Sequence, residues 1–202
     1  MGTTAYRRAA SAAGGVAAVA LIALAYSNGG NVGAPVPPQV GLVATSEAPV
    51  PPTEVKLIGD RDVEVTLTGP IAVKYASATP SQKDALGVAL TGDHNAGTRD
   101  SGVVFQQFQG GVIVAKNDDD GTPAYITWGK IREAWNVQRD PDGVPAITGE
   151  NGSAGPLGVP TSDENADDGL LVTTFEHGRI SFDPKTSQVE VTVNGKVVPA
   201  GL

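Results

Sequence analysis

Apolar and polar residues alternate over Val63-Glu64-Val65-Thr66-Leu67, and again over Val189-Glu190-Val191-Thr192-Val193. A period of two belongs to a strand with one buried face, so both segments predict strands. Each ends near a glycine, Gly69 or Gly195, that marks a turn. Val103, Val104, Phe105 and Phe108 lead into Gly110-Gly111, and Val112-Ile113-Val114 follows, which predicts a β-hairpin. Residues 70–75 and 130–135 have a different rhythm. Ile71 with Tyr75, and Ile131 with Trp135, stand four apart, so each pair shares one face of a short helix. Thr161 or Ser162 is placed to cap a helical turn near Glu164.

These elements recur in order. Ala85-Leu86-Gly87-Val88-Ala89-Leu90-Thr91-Gly92-Asp93 returns as Pro156-Leu157-Gly158-Val159-Pro160-Thr161-Ser162-Asp163-Glu164. Phe108-Gln109-Gly110-Gly111-Val112-Ile113 returns as Phe175-Glu176-His177-Gly178-Arg179-Ile180, and Gly129-Lys130-Ile131 as Gly195-Lys196-Val197. The sequence thus predicts a half-unit over residues 60–84, a repeat over 85–135 and a second over 156–198. Segments 117–121 and 136–156 are insertions. The repeat motif is carried by Leu86, Gly87, Phe108 and Gly111 in one copy, and by Leu157, Gly158, Pro160, Phe175 and Gly178 in the other. The expected fold is an α+β repeat domain of short hairpins and short helices over residues 56–202. No unit of this size buries its apolar face alone, so neighbours must supply the core.

Ahead of the domain the pattern changes. Arg7-Arg8 precedes an uncharged stretch over residues 9–26, apolar from Val16 to Ala25. Basic residues before a short apolar run ending in small residues have the layout of a signal sequence, with cleavage possible after Ala25 or Ser27. The run also approaches the ~20 residues that span a bilayer, so a retained signal anchor stands beside the cleaved peptide for residues 1–27. In either case the positive flank stays inside and the remainder is extracytoplasmic. Residues 28–55 contain two Ala-Pro-Val-Pro-Pro units, which suit a semi-rigid polyproline tether rather than a helix or central strand.

Composition narrows the chemistry. There is no cysteine among the 202 residues, which removes disulfides, thiolate metal sites, cysteine nucleophiles and lipidated cysteine anchors. The formal charge is −8, and taking away residues 1–25, with Arg7 and Arg8 and no acid, makes it −10. So acidic a chain is poorly suited to a phosphate backbone, and nucleic acid is not an expected partner.

With these motifs in place, the chain resembles the LGFP-repeat family: LG-x-P-x-x-D/E, then F-x-x-G-x-I, then G-x-I with an aromatic four residues on. The second copy is the closer. The first has Ala89 in place of the proline and Gly92 before Asp93, which predicts a different LG turn, and the third motif position is Val88 or Val159 rather than Phe or Tyr. The resemblance spans about residues 60–198. It implies an actinobacterial envelope protein associated with the cell wall, in contact with wall polysaccharide such as arabinogalactan.

Catalytic residues are not expected. His94 and His177 fall at unrelated places in the repeat, and there is no G-x-S-x-G nucleophile elbow. Asp163, Glu164, Asp167 and Asp168 could supply a carboxylate pair, but the first copy has only Asp93 to match. The consecutive acids of residues 117–121 lack the alternating oxygens and distant glutamate of a calcium loop, and read as a solvated hairpin tip. No metal or cofactor is expected. Tyr75 and Trp135 are equivalent and read as core, whereas Trp128 beside Tyr125 has no aromatic counterpart in the other copy. The candidate ligand-binding set is therefore Trp128, Tyr125, Asp163 and Glu164. The expected function is non-catalytic binding to wall polysaccharide in support of envelope integrity. The alternative is an accessory subunit for a membrane or wall-synthesis protein complex, whose partner would complete the half-units. The membrane is touched only through residues 9–26, if uncleaved.

Overall fold

The computed structural model describes residues 51–146 and 153–202. The leader and the tether up to residue 50 lie outside the described residues. Among the described residues no helix is long and apolar enough to cross a membrane. The architecture is α+β: three antiparallel sheets with short helices between them.

The first sheet pairs β1 (Glu54–Ile58) with β2 (Glu64–Thr68). Its inner positions Val55, Leu57, Val65 and Leu67 join the first core, and the alternate positions are exposed. So β1 takes in Glu54 and Val55, which composition assigned to the tether. Gly69, at φ +52°, turns the chain from β2 into α1 (Gly69–Ser77). Next comes α2 (Pro80–Leu86), started by a reciprocal Thr79–Gln82 capping box and stopped at Gly87. This helix is additional to the elements predicted above.

The second sheet has the order β3 (Ala96–Thr98), β4 (Val104–Gln107), β5 (Gly111–Ala115), β6 (Ala124–Trp128). The predicted hairpin is β4–β5. At Gly129, φ +53°, β6 passes into α3 (Gly129–Trp135) as β2 passes into α1. Every residue of β5 is buried, because both faces of this sheet are covered. Ile113 and Ala115 face the first core with α1, while Val112 and Val114 face the second core with α3.

The third sheet runs β7 (Asn165–Asp167), β8 (Leu170–Phe175), β9 (Gly178–Asp183), β10 (Gln188–Val193), β11 (Lys196–Val198), each strand beside the next. Phe175, Ile180, Val191 and Val193 form its inner face against α3. Here the repeat departs from its pattern. Asn194 and Gly195 both have positive φ, +48° and +79°, which is the backbone of a two-residue hairpin turn. Gly195-Lys196-Val197 therefore enters β11 and not a helix, leaving Val197 68% exposed. The layers run sheet, helix, sheet, helix, sheet, with each core shared between neighbouring units. The two half-units do not pair with each other: β2 pairs with β1, and β10 with β9 and β11.

Two local expectations change. Ser162 caps no helix; its hydroxyl accepts from the Thr174 amide at 3.0 Å, and the Thr161 and Thr174 hydroxyls lie 2.9 Å apart, tying this loop to β8. The first LG turn, despite Ala89, matches the second. Ala89 bridges Phe108 as Pro160 bridges Phe175. The amides of Gln109 and Gly110 donate to Val88 and Leu86 at 3.0 and 2.8 Å, and those of Glu176 and His177 to Val159 and Leu157 at 3.1 and 3.0 Å. Backbone ladders set this turn, so the proline is dispensable to its shape.

Candidate functional site

The repeat motif residues are where the units lock together. Leu86 and Leu157 are fully or nearly fully buried, and Gly87 and Gly158 turn the chain at φ +68° and +75°, a region where side chains are strained. Phe108 and Phe175 receive the aromatic of the preceding helix. Tyr75 stacks on Phe108 at 5.6 Å and 3°, and Trp135 lies 5.8 Å from Phe175 at 33°. The Trp135 indole also donates to the Gly158 carbonyl at 2.9 Å, so α3 holds the next LG turn directly. Gly178 has no room for a side chain, since a β-carbon would meet the Thr192 carbonyl oxygen at 1.9 Å, and Gly111 is tight, with the Thr127 carbonyl oxygen at 3.0 Å.

That arrangement decides the family. A model of the LGFP repeat matches residues 86–143 and 157–197, each match beginning at the LG leucine. The chain belongs to the LGFP-repeat family. No curated protein matches the chain.

Within the LGFP units, the loop of Asp163 and Glu164 lies along β6, which carries Tyr125 and Trp128, but the predicted ligand-binding residues do not share one face. Tyr125 and Trp128 stand three apart on β6, so they point to opposite faces of the sheet. Trp128 is half-buried against the first core. Asp163 is engaged internally: it forms an ion pair with Lys74 and accepts the Ile126 amide at 2.8 Å, closing the outer edge of β6. Glu164 is half-buried in the adjoining loop. Both histidines are exposed in turns. The 117–121 segment is a hairpin tip closed on itself, with Asn117 accepting from the Asp119 amide at 3.2 Å and bonding the Thr122 hydroxyl. Among the described residues no group of three or more acidic, histidine or cysteine side chains is placed to hold a metal.

The concave site lies elsewhere, beside α3. The helix covers the β6 side of the second sheet, leaving a small cleft over β4 and β5 with about 60 Å³ of room. That is below the usual small-ligand site of about 300–1,000 Å³, so the cleft admits an edge or a substituent of a ligand and not a whole ring. Val103, Val112 and Val114 form an apolar floor, and Phe105, Trp135 and Ala154 add to the walls. Gln107 on β4 and Asn136 at the end of α3 bring planar amide groups, and Ser153 adds a hydroxyl bonded to Asn136 at 2.9 Å. Arg132 donates to the Gln107 side-chain oxygen at 2.8 Å, and Arg99 lies 5.1 Å over the Phe105 ring. Burial holds the Arg132 guanidinium below its ordinary pKa.

The far end of α3 is fixed by a second buried arginine. Arg139 donates to the carbonyls of Ala134, Gly143, Pro199 and Ala200 at 3.3, 3.0, 2.7 and 2.6 Å. A rigid guanidinium fork can bond several diverging carbonyls in this way, where an ammonium has three donors at one point. The bonds pin the C-terminal end of α3, and so orient Trp135 and Asn136 at the cleft.

The cleft residues were missed from the sequence because they come from separate segments and do not recur in the other copy. The matching face of the third sheet has Val172, Thr174, Arg179 and Ser181 in place of Phe105, Gln107, Val112 and Val114, with no helix beside it. One signal was available. Arg99 and Arg132 are cations in a strongly acidic chain, at positions the repeat does not require.

Proposed function

We propose that this LGFP protein is a non-catalytic, extracytoplasmic envelope module that binds wall polysaccharide in the cleft between α3 and the β4–β5 hairpin. The observation that carries this reading is the polar rim, where Gln107, Asn136 and Ser153 set planar amides and a hydroxyl beside Arg99 and Arg132. The edge of a sugar presents hydroxyl donors and acceptors, and such a rim can meet both. The family's occurrence in envelope proteins and the basic, apolar N-terminal segment support an extracytoplasmic location. The accessory-subunit alternative draws on incomplete end units. The outer faces of the first and third sheets each mix an ion pair, Lys56–Glu64 at 3.2 Å and Arg179–Glu190 at 3.7 Å, with an exposed apolar side chain, Ile58 and Val197.

Retention of the folded domain on purified wall polysaccharide tests the reading. The wild-type chain is expected to be retained, and Gln107→Ala combined with Asn136→Ala to lose retention at least about tenfold. Trp128→Phe, on the opposite face of the sheet, should leave it unchanged. A folded wild-type protein that is not retained, or equal retention of all variants, would overturn it.

A further inference from the structure

The cleft contains, among the described residues, two cations with no acid beside them. Among the described residues, neither Arg99 nor Arg132 has a carboxylate within 4.0 Å, although acids outnumber bases 22 to 14 in the chain. The other basic residues of the domain are paired or lie elsewhere. Lys56, Arg61, Lys74, Lys116, Lys130 and Arg179 lie against acids, while Lys83, Lys185 and Lys196 have no carboxylate within 4.0 Å among the described residues but lie outside the cleft. Arg139 is consumed by four carbonyls.

Neither cleft arginine is saturated. A guanidinium has five donors. Arg132 uses one on Gln107, and Arg99 makes one long bond, 3.4 Å to the Ser153 carbonyl. Their remaining donors line the same cleft. Partial burial strengthens such a charge toward an incoming anion, because less water competes for it. Guanidinium groups also match the paired oxygens of carboxylates and phosphates.

We propose that Arg99 and Arg132 make this cleft selective for saccharides bearing an oxyanion, a carboxylate or phosphate attached to the sugar. This rests on the polysaccharide-binding reading above and adds the class of ligand. Gln107, held by Arg132, positions that guanidinium at the rim of the cleft. No chemical step is involved; the ligand is held and released.

The test is calorimetric titration of the wild-type chain with trigalacturonate, its fully methyl-esterified form and galactose 6-phosphate. Arg99→Gln, Arg132→Gln and the double variant follow, each checked for an unaltered thermal transition. The acid or the phosphate should bind at least about tenfold tighter than the neutral ester, and whichever does so names the oxyanion. The preference should shrink in each single variant and vanish in the double, while Arg132→Lys restores part of it. Equal binding of ester and acid, or a preference that survives the double variant, overturns the proposal. If the preference is absent while the wild-type chain is still retained on wall polysaccharide, selectivity alone has failed. Loss of all retention would instead remove the underlying reading.

Discussion

The second and third sheets are built from the same motif and differ on one face. Counting from the repeat phenylalanine, Val112 and Arg179 hold the same position, as do Val114 and Ser181. Ile113 and Ile180, one residue on from the first pair, both face the preceding helix and are both fully buried. Toward the following layer the sheets diverge: the second presents valines to α3, and the third presents Arg179 and Ser181 with no helix beyond. The first sheet completes the comparison, with Val55 and Leu57 facing α1 and an outer face of Glu54, Lys56 and Glu64. Residue choice at one position therefore decides whether a layer is internal or a cap, as stacked repeats require.

Exchanging those residues should give the largest effect. Val112→Arg places an unpaired charge in the second core and should cost more than about 4 kcal/mol, enough to unfold much of the protein. Arg179→Val, its mirror, should change stability by no more than about 0.5 kcal/mol. Chemical denaturation of both variants checks the pair, and similar losses would mean that the faces are not distinguished as described.

The two aromatic locks come next. Trp135→Ala removes a side chain 4% exposed together with its bond to Gly158, and should cost about 3–5 kcal/mol. Tyr75→Ala, at the half-buried equivalent, should cost roughly half as much. Thermal and urea unfolding would show the ranking, and a reversed order would contradict the tighter second junction.

The LG glycines give a smaller contrast. Both have positive φ, so alanine should cost about 1 kcal/mol at either from backbone strain alone. At Gly158 a β-carbon would also meet Glu176 Oε2 at 2.5 Å and Cβ at 2.8 Å, whereas at Gly87 the nearest atom is Gln109 Oε1 at 3.4 Å. Gly158→Ala should be the more destabilising by a further ~1 kcal/mol. Equal losses would show that the Glu176 side chain simply moves aside.

Glu176 supplies the smallest effect and a pH signature. Its hydrogen bond from Lys116, with a further one from the Val159 amide, holds the carboxyl below its ordinary pKa despite some burial. A lowered folded-state pKa contributes stability above the unfolded value, near 4.3, which is lost as pH falls through the folded one. Gln109 stands at the matching place in the first copy and does not titrate. Glu176→Gln should therefore flatten the decline in melting temperature below about pH 4.5, by up to about 1 kcal/mol in this partly exposed setting. An unchanged acid limb would assign the decline to other carboxylates, such as Asp60, bonded to Thr91, and Asp183, bonded to the Lys185 amide.

Periodicity made much of the scaffold legible. It gave β2, the β4–β5 hairpin, α1, α3 and the second LG turn, and the repeat gave the Tyr75–Trp135 equivalence, while the first LG turn was expected to differ and does not. It did not give α2, though Thr79-Pro80-Ser81-Gln82 has the residues of a capping box. The β11 hairpin was hidden by its likeness to a helix start, and the Asn194-Gly195 turn decided it. The separation of Tyr125 from Trp128 was readable in principle, since residues three apart in a strand cannot share a face. The cleft was not. It joins residues 99, 105–107, 132–136 and 153–154, and only packing around α3 reveals that they meet.

The account turns on where a wall glycan sits, and backbone amide and indole chemical shifts on titration with wall-polysaccharide fragments locate it directly. Shifts concentrated at Phe105, Gln107, Arg132, Asn136 and the Trp135 indole, with the Arg179–Val197 face unmoved, are the predicted result. Shifts concentrated on the outer face of the third sheet, or none at saturating glycan, would contradict it.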